Sequence, residues 1–195
     1  MSQSTFTPED SLALIQTMIR KTRSGLGENR FYFLFWGWVV FAALLTEYVL
    51  KVLLGVERHY HVWWVIVPAV LITILYSRRH RERSGVSSYV GESMGYLWMG
   101  VGISFFVMSI LVSAIPQGYN YLFPFYILFY GLGTFISGRL LRFRPLIIGG
   151  IVNWVLAIAC IYVPYDTQML LTALAILASY IIPGHLLGRA KTETV

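Results

Sequence analysis

One cysteine, Cys160, stands in a chain of 195 residues, so no intrachain disulfide can form and redox chemistry says nothing about compartment. Charge is scarce too: Asp, Glu, Lys and Arg make up 12% of the residues, where an ordinary soluble domain carries roughly 25%. The first 30 residues are polar, carry Glu9, Asp10 and Glu28, and lack the apolar core and small-residue cleavage site of a secretory signal peptide. The first apolar run is therefore expected to stay as an anchor. What the chain has in place of charge is apolar surface, 57% of its residues. A soluble fold of this length could not hide so much.

Six apolar runs account for the excess: Phe31 to Leu50, Val62 to Ser77, Met94 to Ile115, Tyr121 to Gly138, Pro145 to Val163 and Met169 to Leu187. Each is about long enough, at 1.5 Å per helical residue, to cross a hydrocarbon core of ~30 Å. The expected fold is all-α: a polytopic membrane protein of six transmembrane helices. Residues 1–30 form a cytoplasmic or interfacial amphipathic helix, 31–188 one six-helix domain, and 189–195 a cytoplasmic tail. The second run is short, and Pro68 near its middle predicts a kink.

The net charge of +6 raises the question of nucleic acid, but the distribution answers it. Arg20, Lys21, Arg23 and Arg30 precede the first run; Arg78, Arg79, Arg81 and Arg83 follow the second; Arg139, Arg142 and Arg144 follow the fourth; Arg189 and Lys191 follow the sixth. Of the 15 basic residues only Lys51 and Arg58 fall on the opposite side. That is the positive-inside pattern, which places both termini in the cytoplasm. It explains the bias without a nucleic-acid patch.

Ahead of the first run, Thr7 as N-cap, Pro8 at the first helical position and Glu9 and Asp10 in the first turn start a helix, and Gly25 and Gly27 would end it. Leu12, Ile15 and Ile19, flanked by Leu14 and Met18, make an apolar stripe beside Arg20, Lys21 and Arg23. Such a helix suits the inner headgroup layer, the cytoplasmic ends of the bundle, or a docking protein partner. The expected partners are therefore the lipid bilayer and a protein met through this helix or the basic inner loops.

Aromatic residues mark the interfaces, among them Phe31, Tyr32, Phe33 and Trp36, then Tyr60, Trp63 and Trp64, then Tyr119, Tyr121, Phe123 and Tyr126. Phe33-Leu34-Phe35-Trp36-Gly37 matches Ile127-Leu128-Phe129-Tyr130-Gly131 in character. This would fit a 3+3 inverted repeat of the kind transporters use. Small residues at helical spacing, Gly131, Thr134 and Gly138, then Gly149, Asn153 and Ala157 with Gly150 beside them, then Thr172, Ala175 and Ser179, predict a tightly packed three-helix unit.

Three polar residues form the candidate intramembrane site: Glu47, Asn153 and His185. Asn153 reads first as interhelical hydrogen-bond glue and second as a substrate ligand. Glu47 is expected to pair with Lys51 four residues later, with a proton or ion relay as the alternative. His185, after Pro183-Gly184, lies near the inner surface, where a backbone or headgroup partner is expected. His59-Tyr60-His61 beside Glu57 has no second cluster to complete a metal site, so no metal and no cofactor is expected.

Ser137-Gly138 and His185-Leu186-Leu187-Gly188 resemble the motifs of rhomboid intramembrane proteases, Gly-x-Ser-Gly and His-x-x-Gly. Phe135 stands where the first glycine belongs, and both residues fall at the cytoplasmic ends, so no catalytic residue is assigned. Gly131 to Gly138, Pro145 to Trp154 and Tyr180 to Leu187 are also similar to a family of small bacterial six-helix membrane proteins of no known activity. That resemblance implies a bacterial inner (plasma) membrane and brings no site residues. The functional expectation is a non-enzymatic accessory or signalling subunit, with a small-solute or ion transporter as the alternative.

Overall fold

The computed structural model describes residues 30–84 and 89–192, so the expected N-terminal helix and the extreme tail lie outside the described residues. All described elements are helical. Among the described residues the long helices are, in order, α1 Arg30–Leu53, α2 His59–Arg79, α3 Tyr89–Ala114, α4 Leu122–Leu140, α5 Arg144–Cys160 and α6 Tyr165–Gly188. Five of the described helices are long and apolar enough to cross a membrane, and α5, with 17 residues, is shorter.

Contacts fix the directions. Arg30, Leu34 and Gly37 of α1 meet Gly188, Gly184 and Tyr180 of α6, so these helices are antiparallel. Phe31 stacks on Tyr76 while Glu47 meets Trp63, which makes α2 antiparallel to α1. Trp98 against Gly133 and Ser109 against Tyr126 set α3 against α4, and Gly131 against Gly150 with Gly138 against Ile147 set α4 against α5. Residues 30 and 188 therefore share one end of the bundle.

Helix ends follow local chemistry. Gly55, at φ +62°, takes the left-handed position after the π turn Val49–Leu53, where Leu54 N–H bonds Val49 C=O at 3.0 Å. Pro68 lies just past a change of helix type. The segment His59–Val65 is 3-10 helix and α geometry begins at Ile66, so Pro68 lies in the first α turn, where a missing N–H is cheap. Pro183-Gly184 does not break α6 either. The chain widens into a π turn over Leu177–Ile181 and continues as Ile182–Thr192, making room for the proline ring.

Burial is uneven. Of the most apolar stretch of α6, 56% is buried within the protein, against 6% for α2 and 11% for α3. Phe33, Trp98, Tyr130 and Tyr180 meet edge-to-face where α1, α3, α4 and α6 converge. Gly37 packs on α6, so an inverted repeat would put Gly131 on α3; Gly131 instead meets Trp154 and the Gly150 carbonyl of α5.

Candidate functional site

At the end opposite residues 30 and 188, α1 presents a buried carboxylate. Glu47 is 2% exposed, and both of its oxygens are engaged. Trp63 Nε1–H donates to Oε2 at 2.8 Å, and His59 Nδ1 lies 3.0 Å from Oε1. Both partners belong to the 3-10 segment His59–Val65, which returns from the α1–α2 turn. A buried carboxylate is costly without donors, and here they clamp the start of α2 to α1.

The expected Glu47–Lys51 pair is corrected by this geometry. Lys51 Nζ contacts Asp166 Oδ1 at 2.5 Å and lies 4.2 Å from the centre of the Tyr165 ring, tying α1 to the first turn of α6. An isolated helical pair contributes only about 0.2–0.5 kcal/mol. That is too little to compete with charge-assisted bonds to a buried carboxylate.

Asn153 is fully buried on α5, and its Nδ2 donates to Ser179 Oγ at 3.0 Å. Ser179 spends its own proton on Ala175 C=O at 2.7 Å, so it must accept from the amide, which fixes the Asn153 orientation. Oδ1 of Asn153 then has no hydrogen-bond partner among the described residues. Around this bond the helices touch. A Cβ on Gly149 would fall 2.8 Å from Ser179 Cα, one on Gly150 2.8 Å from Phe135 N, one on Gly131 3.0 Å from Gly150 O, and one on Gly138 2.7 Å from Ile147 N. Thr134, also fully buried, donates to Tyr130 C=O of its own helix.

His185 is exposed on the last turns of α6. Glu47, Asn153 and His185 thus hold separate positions and share no partner, so they do not form one site. Ser137 is buried and donates to Gly133 C=O at 2.7 Å, which commits its hydroxyl to its own helix rather than to His185. Among the described residues no three His, Cys, Asp or Glu side chains gather as metal ligands.

Sequence reasoning missed Trp63 and His59 as the donors to Glu47, Asp166 as the partner of Lys51, and Gln168. The last is 2% exposed, with Nε2 donating to Val163 C=O at 3.2 Å and Oε1 without a partner among the described residues. Asp166 carried one usable signal: an acid in the first turn of a helix starting at the same end as Lys51.

At the Arg30 end the described side chains include Arg30, Arg78, Arg79, Arg139, Arg142 and Arg144, whereas the Glu47 end carries Lys51 and Arg58 beside Glu57 and Asp166. Among the described residues only Lys51–Asp166 and His59–Glu47 form ion pairs. No protein-family model, curated protein or solved structure matches the chain.

Proposed function

We propose that the chain is a multi-pass protein of the bacterial inner (plasma) membrane, spanning it six times with both termini cytoplasmic. It acts without chemistry of its own, as an accessory or signalling subunit. Its basic inner loops and N-terminal amphipathic segment meet lipid or a protein partner. One observation carries the non-catalytic reading. Each buried polar side chain, Glu47, Thr134, Ser137, Asn153, Gln168, Thr172 and Ser179, already holds an internal hydrogen bond, while the arginines at one end form no described ion pair. Photo-crosslinkers placed at Ile15 and at Arg139 in the full-length protein in cells test it. Discrete adducts to one protein from both positions, and none from Tyr162 at the opposite end, are expected. The same diffuse pattern from all three would contradict it.

A second reading, small-solute or ion transport, is favoured by the buried carboxylate of Glu47 and the orphaned Oδ1 of Asn153. Glu47→Gln separates the two. Glutamine can accept from Trp63 with its carbonyl and donate to His59 Nδ1 with its amide, so folding survives. Liposomes bearing wild-type protein are expected to show no solute- or ion-driven flux, and flux that the Gln variant loses would put transport first.

A further inference from the structure

Arg139 in the last turn of α4, Arg142 in the α4–α5 turn and Arg144 at the start of α5 are all exposed, and no acidic residue lies between Glu92 and Asp166 in the chain. None of the three forms an ion pair with a described residue. The backbone holds them in a defined geometry. Phe143 N–H bonds Gly138 C=O at 2.9 Å and Arg142 N–H bonds Arg139 C=O at 3.3 Å, the paired 6→1 and 5→2 bonds of a Schellman cap. In that cap the residue after the last helical turn adopts the left-handed conformation and is usually glycine. Here it is Arg142, at φ +52°. Gly55 fills a left-handed helix-end position after α1, at φ +62°.

Arg142 thus places a long cationic side chain at a backbone position that favours none. From this strained position and from charges that pair with no acidic side chain among the described residues, we propose that Arg139, Arg142 and Arg144 bind the headgroup of an anionic phospholipid of the leaflet that the α4–α5 turn faces. The inference rests on the membrane reading above, which puts that turn at the anionic inner surface. A guanidinium presents planar paired donors that match phosphate oxygens. An arginine near an anionic surface strengthens such binding by roughly fivefold.

The strain makes the test sharp, because Arg142→Gly moves fold and ligand in opposite directions. Full-length protein purified in mild detergent is titrated with phosphatidylglycerol, with phosphatidylcholine and with inorganic phosphate. Binding is read by native mass spectrometry and by the shift in Tm. Wild type should retain phosphatidylglycerol over phosphatidylcholine, and inorganic phosphate should leave Tm unchanged. Arg142→Gly, with its strain relieved, should melt no lower than wild type without lipid and yet bind phosphatidylglycerol about fivefold more weakly. Arg58→Gln, at the opposite end, should bind as wild type does. Equal phosphatidylglycerol binding by wild type and Arg142→Gly overturns the proposal, as does equal stabilisation by phosphatidylcholine or by inorganic phosphate. Detergent titration reads binding whichever way the chain is inserted. An outward report from a reporter fused after Arg144 would therefore sink the membrane reading alone.

Discussion

A buried carboxylate held by an indole and an imidazole is the most specific feature at the scale of single residues. Trp63→Phe removes one donor and leaves Glu47 Oε2 buried without it. The cost of such an orphaned group is about 1–3 kcal/mol. Trp64, its neighbour in sequence, is 71% exposed, so Trp64→Phe should be nearly neutral. Thermal unfolding in mild detergent is expected to show a clear drop in Tm for the first variant and little change for the second; equal drops would mean that ring packing, not the hydrogen bond, matters at Trp63. Asp166→Asn should also change little, because the Lys51 and Asp166 side chains remain 30% and 48% exposed and exposed pairs contribute about 0–1 kcal/mol. Glu47 was visible in the sequence as an acid inside an apolar run, but its partners were not. Local spacing offered Lys51, whereas burial selected donors brought back by a 3-10 turn 12 and 16 residues later.

Between helices, close approach is set by glycines whose missing side chains are occupied by the neighbour. Without water to drive association, such packing is the main attraction between helices in lipid. Even Ala at position 150 would place Cβ against Phe135 backbone, which cannot swing aside. Gly150→Ala and Gly149→Ala should therefore destabilise by about 1–3 kcal/mol, the usual penalty of overpacking. Gly95→Ala on α3 meets nothing within 4 Å and gains up to about 1 kcal/mol of helix propensity. Detergent melting curves that fall for the first two variants and not for the third are expected. Unchanged melting at Gly149 and Gly150 would show that this stripe does not bear the contact. The stripe on α4 and α5 was legible because small residues recur there at helical spacing. The α1–α6 contact was not, since Gly37, Gly184 and Gly188 are isolated residues whose pairing exists only after folding. Gly37 and Gly131, alike in their pentapeptides, face different helices, α6 and α5, since matching pentapeptides carry no information about which helix each will face.

For the whole molecule, apolar run length reads far into the order of the helices. The predicted run from Phe31 to Leu50 lies within Arg30–Leu53, and that from Met169 to Leu187 within Tyr165–Gly188. Helix packing then brings residues 30 and 188 to one end, together with Arg78, Arg79, Arg139, Arg142 and Arg144. Which helices lie inside was not legible, because outward-facing and inward-facing positions are both apolar and no amphipathic contrast separates α2 and α3 from α6. The central claim is that this bundle crosses the membrane six times with its arginine-rich end in the cytoplasm. Reporter fusions in cells, made after Ser84, after Gln117 and after Arg144, test it most directly. The account predicts cytoplasmic signal at Ser84 and Arg144 and an outside signal at Gln117, and a cytoplasmic signal at Gln117 would contradict it.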